Sequence, residues 1–534
     1  MSDVQPPPVR STAVLCAVAG TSALAMWWML ASPAYVYSND AFDYAQMGAQ
    51  LANGDGFSTL QIFPRHVPFL AERGLLDGPW PNLHRYPLPT ALNGLTGLFT
   101  GDARSAALWQ SGLTYAASVG AFAFAARQFA PLALAALGTL LFALDPTQVG
   151  SAFLGLTEGA GALWILLIVG LCARPSGMTR RDAAVAGVVC GLAWLTRTQL
   201  AVLLPLVLLI TGARLRDWRA VGIAALTAGL TLAPWMLHMA WLTHDPFFSF
   251  STSRNLALKA APHDIDMLLH APPTTAGVVA EWGDEIWHKV VDQQLSRAFS
   301  VRKLHTLFAE IPGFALIAAG IGALVTVRKN APLVALSVGI TVGSFIAVSF
   351  AFHSSRFYDP LRSLPYLLLL AGTAAAVRWV HRNIPTLTPW RTGLIVSLLA
   401  AGTFAPEIRE GPLPSRYRRI KPVRAEPIAT LATRLPAGTV VVSDVSSKVA
   451  IHAGMRTIRL PQEPDDLLTL DSEYGLVDAV VLSRRVFSDE ESDRTVFANY
   501  WKYTDAVASP SFQSRWDEVE PIAGGLRMFV RRQP

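Results

Sequence analysis

The chain has 534 residues, of which 52% are apolar and only 15% charged, and its mean hydropathy is +0.36. A soluble domain of this size does not carry so much apolar material, so the composition indicates a membrane protein with several spans. The net charge of +6 resides largely in arginines between apolar segments, the pattern of cytoplasmic loops rather than of a nucleic-acid surface, and no nucleic-acid partner is expected.

Residues 1–10 are polar and proline-rich, and Arg10 precedes an apolar run over 11–31 that is long enough to span. Small residues at 31–34 would also suit a signal peptide, but the many apolar runs that follow favour a first transmembrane helix. A long loop, 32–102, comes next. Within it 38–57 reads as a short helix at a membrane surface, with Ser38 and Asn39 as N-cap residues and Asn53-Gly54 as a left-handed stop. Asp40, Asp43, Tyr44 and Met47 fall at i, i+3, i+4 and i+7, so two carboxylates and a phenol share one face. Ala41, Ala45, Gly48 and Ala52 form a second face of small residues, suited to close approach. Asp40 sits in the first turn, where the helix dipole favours an ionised carboxylate. Such a residue suits a general base or a metal ligand, although acidic residues there often do no more than stabilise the helix. A second surface helix is expected near 68–76, followed by the polar stretch Asn82-Leu83-His84-Arg85-Tyr86-Pro87.

Further spans are expected at 103–126, 131–149, 157–173, 182–196, 199–213, 220–242, 311–327, 331–351, 361–377 and 391–405, about eleven in all. Cys16, Cys172 and Cys190 lie in or beside apolar segments without metal-like spacing, which argues for neither a disulfide framework nor a zinc site. Alternate connections carry Arg127; Arg174, Arg180 and Arg181; Arg214, Arg216 and Arg219; Arg328 and Lys329; and Arg378, Arg382 and Arg391. With Arg10 they mark one side as cytoplasmic. The opposite side then receives Asp40, Asp43, His84, Arg85, Glu158, Arg197, His353 and Arg356. Carboxylates, histidines and arginines at headgroup depth suit a substrate with an apolar tail and a phosphate head.

The large loop 243–310 lies on that side too. In it Glu281, Asp284, Glu285 and His288 share a helical face, and His263, Asp264, Asp266 and His270 cluster, but neither spacing is a metal-ligand signature. Residues 406–424 form a linker rich in proline and arginine, whose charge would suit the cytoplasm. If 391–405 did not span, the tail, 406–534, would be cytoplasmic; eleven spans place it outside, since a basic run can meet lipid phosphates on either leaflet and distal charge weighs less in orientation. There 439–443, 478–482 and 527–531 read as strands and 428–434 and 446–453 as helices, giving a small α/β domain. No G-x-G-x-x-G or P-loop supports a nucleotide donor.

The order of these features resembles the C-class (GT-C) membrane glycosyltransferases, which use polyprenyl-phosphate sugars, and most of all the branch with protein O-mannosyltransferases and the lipid A aminoarabinose transferase. The resemblance runs over most of 11–380. Asp40-Ala41-Phe42-Asp43-Tyr44-Ala45 is similar to the acidic motif of the first loop, with Asp40 at the catalytic position and Tyr44 at the family's tyrosine. Tyr86-Pro87-Leu88-Pro89 is similar to the entry to the second span, where Arg85 stands in place of a lysine. Thr157-Glu158-Gly159, Gly191-Leu192-Ala193-Trp194-Leu195-Thr196-Arg197 and Leu232-Ala233-Pro234-Trp235 resemble later motifs, as do His244-Asp245-Pro246 and Ser355-Arg356-Phe357 with Leu364-Pro365.

The resemblance implies a multi-pass cell-membrane enzyme, residues 1–405, with an extracytoplasmic α/β domain, 406–534. It would transfer a sugar from a polyprenyl-phosphate donor to a glycan, lipid or protein acceptor by an inverting displacement. Asp40 would be the base. Asp43, Tyr44, His84, Arg85, Glu158, Arg197, His353 and Arg356 would bind substrate, and Asp40 with Glu158 would hold any divalent cation. A secondary transporter and a non-catalytic scaffold for envelope assembly are the rival readings.

Overall fold

The computed structural model describes residues 9–32, 36, 38–174, 177–295, 324, 331–350, 358–383, 426–487, 502–522 and 525–532. After the apolar helix α1 (Val9–Leu30), the chain forms α2 (Asn39–Asn53), which ends at Gly54 with φ of +93°, a conformation that favours glycine. Ser38 precedes α2 in an extended conformation, but its hydroxyl makes no cap bond, contrary to the expectation from sequence. The second loop helix, α3 (His66–Ala71), is shorter than expected. Next come α4 (Pro87–Thr100), with prolines in its first turn, and α5 (Ala103–Phe129), whose first amides at Arg104 and Ser105 are accepted by the Asp102 carboxylate.

Alanine, glycine and serine dominate α5, so α1, α4 and the later helix α8 (Glu158–Cys172) all pack directly on it. The expected span 131–149 is broken into α6 (Leu132–Ala143) and α7 (Pro146–Phe153), bent by 51°. Pro146 has no amide to continue the first helix, and Asp145 caps the second through the amides of Thr147 and Gln148. The buried Asp145 also accepts from Arg362 and Tyr366, each at 3.0 Å. This pair, absent from the expectations, closes the break with charge.

The bundle continues with α9 (Arg180–Thr196), α10 (Leu203–Leu215) and α11 (Trp218–Thr243), then α12 (Phe250–Ala257) and α13 (Thr275–His288) in the large loop. The bundle ends, among the described residues, with α14 (Ala331–Phe350) and α15 (Ser363–Asn383). Among the described residues five helices are long and apolar enough to cross a membrane, six if the bent pair is one span. That is fewer than the eleven expected. Helices α8 and α9 are only 15 and 17 residues long. The expected spans 311–327 and 391–405 and the linker 406–424 lie largely or wholly outside the described residues. The protein is a polytopic α-helical membrane protein all the same.

Its two ends differ in charge chemistry. At one end Arg174 pairs with Asp182 at 3.0 Å, Arg180 pairs with Asp217 at 2.7 Å, and Arg214 donates to the carbonyls of Cys172 and Arg174. At the other lie the start of α8, the end of α9 and the whole of α2.

The tail forms a sheet of six strands in the order β2-β5-β4-β6-β8-β7. Strands β4 (Val440–Ser443), β5 (Arg456–Arg459) and β6 (Ala479–Leu482) are parallel, whereas β7 (Trp516–Ile522) and β8 (Leu526–Arg531) are antiparallel. β4 and β6 are buried on both faces, as strands of a covered parallel sheet are. The edge strand β2 (Gln61–Ile62) comes from the first loop and pairs in parallel with β5, Ile62 opposite Ile458. Two short antiparallel strands, β1 (Ser58–Thr59) and β3 (Trp80–Pro81), flank it in the loop. The tail also meets α2 directly: the rings of Phe42 and His452 lie edge to face, 5.5 Å apart. The tail domain therefore stands at the same end of the bundle as Asp40.

The small-residue face of α2 lies against α4. A Cβ added at Gly48 would come within 2.5 Å of the Asn93 Cβ and 2.9 Å of its carbonyl carbon. Gly48→Ala should therefore destabilise the protein by about 1–3 kcal/mol through overpacking, seen as a lowered Tm of the purified protein in detergent. An unchanged Tm would contradict this close contact.

Candidate functional site

The site is assembled by three pairings of arginine with carboxylate, two joining segments distant in sequence and the third joining neighbouring parts of the large loop. Arg85 is set by a turn in which the Asn82 side chain accepts from the amide of Arg85 at 2.9 Å and donates to its carbonyl at 3.1 Å. From there its guanidinium donates to Asp43 through Nε at 3.1 Å and Nη2 at 2.5 Å, and meets Asp40 at 2.9 Å. Gln46 holds α2 against the same loop through Thr59 and the Leu60 amide. Burial works against the charge of Arg85, but Asp40, Asp43 and Tyr44 outweigh it and raise its pKa above the ordinary value. Burial likewise pushes the Asp43 carboxyl and the Tyr44 phenol upward, with Arg85 opposing. Of the two carboxylates Asp40 is the reachable one, its side chain 40% exposed against 8% for Asp43.

The second pairing ties the start of α8 to the end of α9. Arg197 leaves the helix in extended conformation, meets Glu158 at 2.9 Å and donates to the Thr157 hydroxyl through Nε and Nη2. Glu158 is fully buried. Trp164 donates to the Thr196 hydroxyl at 2.8 Å and locks the same two helices together.

The third pairing was not expected from the sequence. Arg254 on α12 grips Asp264, Nε to Oδ1 at 2.9 Å and Nη2 to Oδ2 at 2.5 Å, and also reaches Asp266 at 3.2 Å. Arg65 holds Asp266 from the other side at 2.7 Å.

Asp40, Tyr44, Arg85, Arg197 and Arg254 line one cavity of about 440 Å³, with Tyr86, Thr157 and Thr198 between them. Tyr86 and Thr198 share a hydrogen bond of 2.9 Å. A second, largely apolar groove of about 280 Å³ adjoins it, lined by Trp194, Leu195, Leu232, Trp235, Met236 and Phe247 among others. Arg85, Tyr86, Thr198 and Thr252 line both, so the two spaces share a wall. Asp43 and Glu158 lie behind the arginines rather than at the cavity surface. His84 also stands back from the cavity, and His353 and Arg356 lie outside the described residues.

A divalent cation between Asp40 and Glu158 does not fit this arrangement. Each carboxylate is engaged by a guanidinium, and no group of three metal-ligating side chains containing either is gathered among the described residues. The group that is gathered is His66, His84 and Asp266, buried, with ligand atoms within 4.8 Å of one another. Burial and the neighbouring arginines push both histidines well below the ordinary value, leaving neutral imidazoles with His66 Nε2 and His84 Nδ1 unbonded, as ligands would be. Burial raises Asp266 to about 6 against the pull of Arg65 and Arg254.

The other loop clusters read from the sequence do not assemble. His263 bonds to Gln462, and Glu281, Asp284, Glu285 and His288 stay exposed. The three members of the third pairing are separated in sequence by irregular loop, so no periodicity marked them.

No family model matches the chain, and no curated protein matches it in sequence. Solved structures do match its fold. The archaeal oligosaccharyltransferase AglB from Archaeoglobus fulgidus, in complex with an inhibitory peptide and a dolichol-phosphate, superposes with a TM-score of 0.59 at 11% identity, covering 97% of this chain and 74% of that one. ArnT from Cupriavidus metallidurans bound to undecaprenyl phosphate gives 0.55 at 14% identity, covering 96% and 97%. An Archaeoglobus fulgidus oligosaccharyltransferase in complex with zinc and sulfate gives 0.56 at 11%, covering 97% and 73%. The fold is that of these GT-C membrane glycosyltransferases, the one the sequence resemblance led us to expect.

Removing one member of a buried pair strands the other. Arg197→Gln should destabilise the protein by about 3–5 kcal/mol, and Glu158→Gln combined with it should restore part of that loss. Thermal melts of the single and double variants would show it; equal melting of Arg197→Gln and the native protein would refute a structural role for the pair.

Proposed function

We propose that the protein is an integral-membrane glycosyltransferase that moves a sugar from a polyprenyl-phosphate carrier to an extracytoplasmic acceptor with inversion. The observation that carries this reading is the joint placement of a reachable carboxylate, Asp40, and two anchored guanidinium groups, Arg85 and Arg197, on one cavity that opens beside an apolar groove. The shared fold of AglB and ArnT, solved with dolichol-phosphate and undecaprenyl phosphate, supports it.

The polyprenyl tail lies along the groove at Trp194, Leu232 and Trp235, and the phosphate sits where Arg85 on the shared wall and Arg197 on the cavity side meet it. Asp40 accepts the proton of an acceptor hydroxyl or amine. The freed oxygen or nitrogen attacks the anomeric carbon, the bond from that carbon to the phosphate oxygen breaks, and its electron pair stays on the phosphate. The departing group already carries charge, so the guanidinium groups serve as fixed cations where negative charge develops.

The arginine-rich opposite end is cytoplasmic by the positive-inside rule, which puts the cavity and the tail domain outside. A metal held by His66, His84 and Asp266 would link the first loop to the large loop as a structural brace, since none of the three lines the cavity. No step above depends on it.

The broken span and the Asp145–Arg362 pair are features that a transporter would also show. Asp145, however, is occupied by the amides of α7, Arg362 and Tyr366, and it lines neither cavity nor groove. A non-catalytic scaffold would have no use for a reachable carboxylate, Asp40, on the cavity wall.

With purified protein and a panel of polyprenyl-phosphate sugars, Asp40→Asn should lower turnover by about a thousandfold or more while the lipid phosphate still binds. Arg85→Gln and Arg197→Gln should each weaken binding of the lipid phosphate by about tenfold. Sugar release by Asp40→Asn equal to that of the native protein would overturn the assignment.

A further inference from the structure

Asp43 holds Arg85 by one oxygen. Nε and Nη2 of the guanidinium both go to Oδ2, while Oδ1 is buried and takes no hydrogen bond from the described residues of the first loop. Such a carboxyl is poorly placed to stay charged: burial favours its neutral form, and so does the neighbouring Asp40. A neutral Asp43 would still accept from Arg85, but without the attraction between charges that fixes the fork. One further group favours the charge, and it belongs to the tail. The hydroxyl of Ser447, itself only 2% exposed, stands beside Asp43 and acts on it as a hydrogen-bond donor.

The place of Ser447 in the tail follows from the sheet. Strand β4 lies between β5 and β6, so the chain leaves it first to one side and then crosses over it to the other. In open α/β sheets the carboxyl ends of strands flanking such a reversal bound a crevice where ligands are held. Here Asp444, directly after β4, ties the two strand ends together by accepting from the amide of Ser483, directly after β6, at 2.8 Å. The helix Ser446–Ala453 then begins, with Ser446 and Ser447 both buried. What lies against this helix is α2: the Phe42 ring meets His452, and the next residue, Asp43, meets Ser447. The tail thus grips α2 where a sheet of this kind offers its binding end, and does so at the carboxylate that seats Arg85.

We infer that Ser447 is a positioning residue of the donor site: from the tail it seats Asp43, and through Asp43 it holds the Arg85 fork toward the lipid phosphate. This rests on the donor assignment made above. It gives the tail a part in donor binding although none of its described residues lines the cavity.

The full-length protein in lipid nanodiscs tests this, with a polyprenyl monophosphate as the probe for binding and a polyprenyl-phosphate sugar for turnover. Ser447→Ala should weaken monophosphate binding by about threefold to tenfold and raise KM by a similar factor, with a smaller fall in kcat, because Ser447 acts on the seat of Arg85 and does not touch Asp40. Ser447→Cys, close to serine in volume but a weak donor, should fall between the two and serves if the alanine variant does not fold. In an Arg85→Gln background Ser447→Ala should have no further effect on binding, since no fork is left to position; a serine that only stabilised the tail would weaken binding as much as before. Native affinity in whichever of the Ser447 variants folds, or an undiminished effect in the Arg85→Gln background, overturns the positioning role. Arg85→Gln binding the monophosphate as tightly as the native protein would instead overturn the donor assignment itself.

Discussion

A guanidinium leaves water at a membrane surface only in company, and this protein's site is built on that constraint. Asp43 with Arg85 and Glu158 with Arg197 each join two stretches of chain that sequence alone keeps apart, and Asp266 ties Arg254 of the large loop to Arg65 of the first. The cost of desolvating each ion is high, so a pair that forms must form with good geometry, and good geometry in turn fixes the helices that carry it. The cavity is what remains between three such fixed points. Its shape follows from charge pairing first and from apolar packing second. The same principle closes the kink at Asp145, where Arg362 and Tyr366 stand in for the water that a broken helix would otherwise need.

The contribution of the tail is of a different kind. Its sheet is completed by Gln61 and Ile62, and its helix from Ser446 to Ala453 lies against α2, so the element carrying Asp40 is clasped between the helical bundle and the tail. The acidic helix is thereby held on two sides by parts of the chain with unrelated amino-acid composition. A side chain on a surface helix gains in precision of placement from such support.

Much of this was legible in the sequence because it depends on local chemistry. Helix α2 was readable from the spacing of Asp40, Asp43, Tyr44 and Met47 and from Gly54; the parallel strands β4 and β6 were readable from their runs of valine. The gathering of Asp40, Arg85, Glu158 and Arg197 at one end followed from their positions at the ends of apolar runs. What could not be read were partnerships. Nothing in the order of residues says that Asp266 faces His66 and His84 rather than the nearer His263 and His270, or that Arg254 turns to the cavity, because those choices are made by tertiary packing of irregular loops. Strand β2 was missed for a similar reason: two residues have no periodicity, and their partner lies in another domain. The bend at Asp145-Pro146 was visible as a proline but was read as lying within a single span.

The edge strand borrowed from the first loop has a consequence for biosynthesis. The amide of Thr457 meets the carbonyl of Leu60 across 397 positions of chain. Ribosomes deliver the early partner long before the late one, so the loop emerges with its pairing groups unfilled and stays so while the intervening spans are inserted. Only when the tail has been made on the same side as the loop does the sheet close. Completion of the final domain is thus the last step of maturation for the first loop, and a chain halted before that point presents an open strand to chaperones or proteases.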